Sequence, residues 1–519
     1  MLIHTPCPYT GTGGVRLPIR NTLVRHTLFL SVASIWMRTI GMLFQIWLSG
    51  HIGAAGIGLV QLIGTVGILA ATLGTAGVRV GAMYLIADAR GRHASTRTVT
   101  ACCLCYGTAL SCLAGAALFA AAPWISGHWL QAPEAAGPLR ILATFLPAGC
   151  IGAVLGGWFT ACVKIKQLTA VELLLQVLLF GVNIFLLSRA SGSVQCCRIL
   201  LTVNGLGDVA LCLILGLLYR RSQRTVQLEK TPGLWRKLLR LCVPLGLSDL
   251  LRSSLSTTEH LLIPRGLAAY GLAHGNALAA YGTIHGMVFP VMMFPATLLY
   301  AFSDLLVPEL ARCTAAGSER RVHYLTGRCL HLGAGYACTI AGAAFCLAKP
   351  LAELLYPGTQ TGHYLQLFAP LLVLLYLDAI VDAMLKGLGQ QVASVCYNCI
   401  TAGLDILLLL VLLPRWGIDG YYWAFAVSHS VNFCLSIGRL LRHTGQTPDW
   451  VFAGKMLGCA ALCALACRTA LRHLGCLPAV LLGGGGYLTL LVFLLWLSRA
   501  LRPGDLRWMR QLLQRQSHF

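Results

Sequence analysis

The feature that most constrains this chain is a series of apolar runs that recur from about residue 26 to residue 500. Each run has roughly 18 to 25 residues, which is long enough to cross a hydrocarbon core of about 30 Å as an α-helix. A backbone crosses lipid only as a helix or as a closed barrel, and the runs lack the alternation of period two that marks a barrel strand. The sequence therefore predicts an all-α membrane protein.

The pattern predicts about fourteen transmembrane helices. Composition agrees, because 57% of residues are hydrophobic, only 11% are charged, and the mean hydropathy is +0.73, values that a protein with a fully solvated surface rarely reaches. The predicted spans lie near 26–48, 56–86, 97–121, 139–162, 168–188, 197–219, 236–262, 281–306, 323–347, 363–386, 390–413, 418–441, 450–472 and 477–499.

The basic charge follows the membrane and does not indicate a nucleic-acid partner. The 39 Lys and Arg residues exceed the 17 Asp and Glu residues by 22. If the N-terminus is cytoplasmic, about 28 basic residues lie in loops and tails on that side and about 8 on the other. The positive-inside rule then predicts a multi-pass protein of the cell membrane with both termini cytoplasmic. Residues 1–20 contain no apolar stretch, so no cleavable signal peptide is expected.

The longest basic polar segment divides the chain into six spans before it and eight after it. Six plus six helices followed by a pair is typical of transporters built from two similar halves around a central cavity. The predicted units are a cytoplasmic leader (1–25), an N-terminal lobe (26–219), a basic linker (220–240), a C-terminal lobe (236–445), an extra helix pair (446–500) and a cytoplasmic basic tail (501–519).

The sequence offers no pattern of catalytic or metal-binding residues. Most of its 22 cysteines lie inside apolar spans, where cysteine behaves as a small hydrophobic residue. There is no Asp-x-Asp, no His-Glu-x-x-His and no phosphate-cradling glycine loop with lysine. We therefore expect no enzyme activity, no ATP hydrolysis, no metal and no cofactor.

An ordered series of segments resembles a known family. It includes RTIGMLFQIWLSGHIGAAGIGLVQLI (38–63), LLRLCVPLGLSDLLRSSLSTTEHLLIPRGL (238–267) and YGTIHGMVFPVMMFPATLLYAFSDLLVPEL (281–310). From about residue 26 to 445 the chain resembles the stage V sporulation protein B-like branch of the multidrug/oligosaccharidyl-lipid/polysaccharide (MOP) exporter superfamily. Relatives of this branch include lipid II flippases and O-antigen flippases. Arg79 departs from the family pattern, which has proline at that place.

The resemblance implies a transporter that flips a polyprenyl-pyrophosphate-linked saccharide to the outer leaflet by alternating access. Its implied partners are this lipid-linked saccharide, the bilayer, and the enzymes that synthesise and polymerise the glycan. An alternative remains open, a cation-coupled multidrug antiporter of the MATE type. That transporter shares the architecture but needs acidic residues in its cavity for cationic drugs.

Three arginines fall inside predicted spans, where a charge costs on the order of 3 kcal/mol and is a functional candidate. Arg38 either binds an anionic substrate, as span-one arginines do in the flippases that the chain resembles, or pairs with a buried carboxylate. Arg252 has Asp249 at i−3 and Glu259 at i+7. This spacing favours a local salt bridge between Arg252 and Asp249, and substrate binding is the alternative. Arg79 either binds substrate or extends to the membrane interface. The candidate substrate-binding residues are Arg38, Arg79, Arg252 and Glu259.

Acidic residues in the spans are candidates for ion coupling. Asp378, Asp382 and Lys386 share one helical face at i, i+4 and i+8. A pair between Lys386 and Asp382 leaves Asp378 as a proton or cation site. Three further acids stand alone in their spans: Glu172, Asp208 and Asp405. The candidate ion-coupling residues are Asp378, Asp382 and Asp208.

Overall fold

The computed structural model describes residues 19–92, 95–190, 192–222, 233–447, 449–471 and 474–498, with the backbone alone for 19–31 and 304. This part of the chain contains no strand. Its α-helices are α1 (Ile19–Thr75), α2 (Val78–Gly91), α3 (Thr96–Trp124), α4 (Ala136–Ala161), α5 (Ile165–Leu187), α6 (Ser193–Ser222), α7 (Leu234–Ala269), α8 (His274–Thr283), α9 (Phe289–Met293), α10 (Ala296–Ala315), α11 (Glu319–Leu355), α12 (Thr361–Phe368), α13 (Leu372–Gly387), α14 (Gln391–Thr444), α15 (Trp450–Ala470) and α16 (Cys476–Leu497).

Two long helices each change direction at a single glycine. Gly53 in α1 has φ 71° and ψ 176°, and Gly417 in α14 has φ 58° and ψ −131°. A side chain would be strained at these angles, so glycine permits the kink without a loop. The predicted spans 26–48 and 56–86 left a short loop between them. The structure compresses that loop to the turn at Gly53.

The helices confirm the all-α membrane class. Among the described residues, ten helical segments are long and apolar enough to cross a membrane, or eleven if the bent pair α8–α9 and α10 is one span. Helix α7 is outside this set because Asp249, Arg252 and Glu259 lower its hydropathy. Each predicted span overlaps a helix of the structure. The number fourteen itself stays a prediction.

Helices from the first and second parts of the chain meet closely where α1 packs against α8. A Cβ atom at Gly282 would overlap the carbonyl oxygen of Ala54, and one at Gly58 would overlap the carbonyl oxygen of Leu278. Glycine at both positions therefore permits backbone contact between the helices, the usual device where lipid supplies no hydrophobic force for association. Helix α7 also packs along α1, with the Thr257 hydroxyl donating to the carbonyl of Thr65 (3.4 Å).

Helices α15 and α16 form an antiparallel pair on the outside of α11. Their shared core contains Cys338 and Cys346 of α11, Cys463 of α15 and Tyr487 of α16. All 21 described cysteines are free thiols. The division into two lobes and a terminal pair stays a prediction. Parts of the predicted leader, linker and tail, namely 1–18, 223–232 and 499–519, lie outside the described residues.

Candidate functional site

Arg38 lies in the first segment of α1 and contacts the second half of the chain. Its side chain is exposed, and its guanidinium lies 5.1 Å from the ring centroid of Tyr300 on α10. A cation over an aromatic face is attracted by the ring quadrupole, which holds the guanidinium in place without using its N–H donors. Arg38 is therefore positioned between helices from both halves, and within the described part of the chain no hydrogen bond occupies its donors, so they can bind an anion.

A cavity of about 470 Å³ opens beside Arg38 among α1, α5 and α6. Met37 and Gly41, on either side of Arg38 along α1, form part of its wall. The Gln176 amide donates to the carbonyl of Met37 (3.0 Å), and the Asn183 amide donates to the side-chain oxygen of Asn204 (3.4 Å). The polar residues of the wall are Glu172, Gln176, Asn183, Asn204 and Asp208. This set can hydrogen-bond a polar ligand or a cation inside an otherwise apolar bundle.

Asp208 lines this cavity, whereas Arg79 does not. Asp208 and Asn204 also line a second cavity of about 360 Å³ beside α1 and α4, so the Asp208 carboxylate stands between the two cavities. Arg79 is exposed in the first turn of α2. Of the three candidates Arg38, Arg79 and Asp208, only Asp208 is part of the cavity wall; Arg38 lies next to the wall residue Met37 on α1, and Arg79 is part of neither wall.

Glu259 lies apart from Arg252, with which the sequence grouped it. The Arg252 side chain is exposed, and in the part of the chain that the structure describes no salt bridge joins it to Asp249. Glu259 lies two turns further along α7, where its carboxyl group is close to that of Asp405 on α14. Ser428 donates to the other side of Asp405 (2.7 Å to Oδ1). Two carboxylates repel each other and neither can donate a hydrogen bond, so a direct bond between these groups would need one shared proton.

A chain of histidine and tyrosine side chains adjoins this carboxyl pair. The Tyr281 hydroxyl lies 3.2 Å from Nδ1 of His260, and the Tyr421 hydroxyl lies 3.1 Å from Nε2 of His285. The two imidazole rings are 4.6 Å apart. The chain connects α7, α8 and α14 through hydrogen-bonding groups, so movement of any one of these helices changes the polar contacts of the others.

Asp378 lies in a second polar cluster, formed by α13 and the two segments of α14. Asn432 donates to its Oδ2 (2.8 Å) and to the side-chain oxygen of Asn398 (3.2 Å), while Thr401 donates to Asn432 (3.3 Å). The other carboxylate oxygen, Oδ1, is buried without a hydrogen-bond partner among the described residues. An oxygen-rich site with one unsatisfied carboxylate oxygen suits a proton or a hard cation.

The pair predicted between Asp382 and Lys386 is confirmed. Lys386 Nζ lies 2.6 Å from Asp382 Oδ2, and the Ser394 hydroxyl donates to Oδ1 of the same carboxylate. The spacing i, i+4 on a helix brings the two side chains together, as expected. Asp378 has no such cation within reach in the described chain.

Sequence reasoning missed the polar neighbours of these acids. A signal was present, because Glu172, Gln176 and Asn183 recur at i, i+4 and i+11 on one face of an apolar helix. Asn204 and Asp208 likewise lie four residues apart. Tyr300 gave no signal, since a single tyrosine in a span is also typical of an interfacial anchor.

These features define the class of protein as a multi-pass membrane transporter: helices that cross the bilayer, a polar cavity beside an interhelical arginine, and acidic residues within the helices of both halves. Within that class the chain belongs to the polysaccharide biosynthesis protein family, which matches residues 23–313, more than half of its length. A curated relative is stage V sporulation protein B of Bacillus subtilis (strain 168), 23% identical over 419 residues that cover 76% of this chain and 79% of the relative.

Solved structures show the same fold. A structure of the lipid II flippase MurJ in an inward closed conformation matches with a TM-score of 0.64 and 11% sequence identity. The match covers 90% of this chain and 99% of the MurJ chain. An inward-facing multidrug resistance MATE transporter of the MOP superfamily matches with a TM-score of 0.59 and 16% sequence identity. The match covers 80% of this chain and 100% of the MATE chain. At these identities the likeness establishes the MOP fold.

Proposed function

We propose that the protein flips a polyprenyl-pyrophosphate-linked saccharide from the cytoplasmic to the outer leaflet of the cell membrane. Membership of the polysaccharide biosynthesis family and the likeness to a lipid II flippase and to stage V sporulation protein B support this substrate class. The observation that carries the proposal is the position of Arg38, an exposed guanidinium between helices of both halves, beside a polar cavity.

In this proposal Arg38 binds the pyrophosphate. The planar guanidinium fork matches two phosphate oxygens at once, and Tyr300 leaves its N–H groups available. Arg79 supplies a second positive charge on the same side, and the amides of Gln176, Asn183 and Asn204 face saccharide hydroxyls. Alternating access moves helices of the two halves relative to each other, so a substrate held by Arg38 is exposed first to one leaflet and then to the other.

Ion coupling is assigned to the acid clusters. Asp378, with its unsatisfied Oδ1, is the principal candidate, and Asp208 is the corresponding acid of the N-terminal cavity. Asp382 is already paired with Lys386, so we assign it to positioning that helix end. Protons or sodium ions bound at Asp378 would bias the C-terminal helices toward one of the two states.

The proposed orientation places both termini and the basic linker in the cytoplasm. Cytoplasmic enzymes of glycan synthesis then present the lipid-linked saccharide, and polymerising enzymes use it on the outer face. The identity of the saccharide depends on side chains that contact its sugars, and several cell-envelope precursors share the same lipid and pyrophosphate.

The second candidate is cation-coupled export of drugs. The MATE transporters among the similar structures and the acids of both halves favour it. In that case Glu172, Asp208 and Glu259 would attract a cationic substrate. Arg38 argues against it, because an exposed guanidinium group next to the cavity repels a cation.

The test is native mass spectrometry of the protein purified in mild detergent from its own membranes. Wild type should retain a polyprenyl-pyrophosphate glycan, and Arg38→Ala should weaken its binding about tenfold, the usual effect of removing one charged hydrogen-bonding group. Arg38→Lys should lose part of the binding, because lysine keeps the charge without the fork.

Arg140→Ala is the matched control, since Arg140 is also exposed and lies over an aromatic ring, that of Phe119 at 5.2 Å. Its contact joins α4 to α3 within the first half of the chain, whereas Arg38 contacts α10 of the second half. This control should bind like wild type. The flippase proposal would be wrong if wild type retained only bulk phospholipid and cationic drugs stabilised the protein. Those results would favour the drug exporter.

A further inference from the structure

The largest of the cavities described here lies away from the proposed transport site. It encloses about 750 Å³ between the ends of α11, α12 and α15 and the start of α16. Its wall carries two cations, Lys349 of α11 and Arg468 of α15, together with the carboxylate of Glu353. The cavity therefore joins the main body of the protein to the terminal helix pair at one end of the bundle.

Arg468 is fixed in this wall by two helices of the main body. Its guanidinium lies 5.5 Å from the ring centroid of Phe345 on α11. When the Gln366 amide on α12 is oriented with its oxygen toward Arg468, that oxygen accepts hydrogen bonds from both terminal nitrogens of the guanidinium. A guanidinium has five N–H donors, so three remain for a ligand. No carboxylate lies within salt-bridge distance of Lys349 or Arg468 in the described chain.

The depth of the cations matches the phosphate layer of a bilayer. Arg468 is two residues from the end of α15, and Lys349 is six residues from the end of α11, about 9 Å at 1.5 Å per residue. Both helices are of membrane-spanning length. Their last turns therefore lie in the polar zone that borders the hydrocarbon core, where lipid phosphates are found.

We propose that this cavity binds the headgroup of an anionic glycerophospholipid with a single phosphodiester, such as phosphatidylglycerol. When histidine is counted as neutral, the two cations and the one carboxylate leave one net positive charge. One phosphodiester neutralises this charge. A zwitterionic headgroup would leave that charge uncompensated, and a pyrophosphate would exceed it. The bound lipid connects α15 to α11 and α12, and so holds the terminal pair against the main body.

The experiment is native mass spectrometry of the full-length protein titrated with dioleoyl phosphatidylglycerol, with dioleoyl phosphatidylethanolamine as the zwitterionic arm and a polyprenyl pyrophosphate as competitor. Wild type should prefer phosphatidylglycerol, and R468Q should weaken its binding about tenfold and abolish the preference. R189Q is the matched control, because Arg189 also lies over a ring, that of Phe185 at 4.1 Å, at a helix end outside the cavity wall. It should bind within about twofold of wild type.

A second variant tests the cavity independently, in case R468Q misfolds. Lys349 is exposed, so K349Q should fold normally and still lose phosphatidylglycerol binding several-fold. Equal binding of the two phospholipids by wild type, or equal binding by R468Q and R189Q, overturns the proposal. Displacement of phosphatidylglycerol by polyprenyl pyrophosphate also overturns it and assigns the cavity to the transport substrate. The inference is independent of the flippase proposal, because R38A should leave phosphatidylglycerol binding intact.

Discussion

Asp378 and Asp382 occupy successive turns of one helix, yet their surroundings give them different roles. Asp382 is paired with Lys386 and accepts a hydrogen bond from Ser394. Asp378 has an amide donor on one oxygen and no partner on the other among the described residues. The difference follows from the position of the lysine, four residues after Asp382 and eight after Asp378.

We predict that Asp378→Asn lowers transport at least tenfold and removes its dependence on a proton or sodium gradient, because asparagine cannot carry the negative charge that binds the ion. The measurement is uptake or flipping in proteoliposomes with imposed gradients of each ion. Asp382→Asn is the control on the same helix. Its ion pair is partly exposed and contributes about 0–1 kcal/mol, so transport should stay within about twofold of wild type. Similar losses in both variants would contradict the assignment.

At the scale of helices, the contact between α1 and α8 is set by the absence of side chains. Gly282 lies against the carbonyl oxygen of Ala54 and the backbone of Gly58, whereas nothing lies within 4 Å of the Cβ position of Gly275 on the same helix. Backbone at such a contact cannot move aside as a flexible side chain can. The separation of α1 and α8 is therefore fixed by these glycines.

We predict that Gly282→Ala lowers the unfolding midpoint of the purified protein and shifts its conformational equilibrium away from the state in which α1 and α8 touch. Overpacking of this kind typically costs about 1–3 kcal/mol. Gly275→Ala should be neutral or slightly stabilising, because alanine favours a helix over glycine by up to about 1 kcal/mol. Thermal unfolding and spin-label distances between the two helices provide the readouts. An unchanged α1–α8 distance in Gly282→Ala would refute the contact as a determinant of conformation.

At the scale of the whole molecule, we predict the orientation in the membrane from the uneven distribution of basic residues. A basic turn precedes α11, and the segment between α11 and α12 follows it. These two segments therefore lie at opposite ends of α11. Arg224 belongs to the basic linker in the sequence. The positive-inside rule places these two segments on opposite sides of the bilayer.

We predict that alkaline phosphatase fused after Gly358 is active, because the enzyme folds only outside the cytoplasm, and that the same fusion after Arg224 is inactive. Green fluorescent protein fused after Phe519 should fluoresce, which requires a cytoplasmic C-terminus. Phosphatase activity at Arg224 with none at Gly358 would invert the topology and, with it, the direction of the proposed transport.

The sequence by itself determined the class of the protein and the local pairings. Apolar runs of bilayer length specify membrane helices, since any other backbone conformation leaves hydrogen-bonding groups unsatisfied in lipid. The Asp382–Lys386 pair was predictable because helical spacing alone brings those residues together. The order of segments also identified the superfamily correctly.

Only the tertiary structure decided which polar residues share a site. Glu259 lies close to the carboxyl group of Asp405 on α14, and Arg38 lies over Tyr300 of α10. A soluble helix shows its buried face as an apolar stripe, but a helix in lipid is apolar on nearly every face. The sequence therefore gives little information on which side of a span faces which partner, and contacts between distant helices become known only when the bundle is assembled.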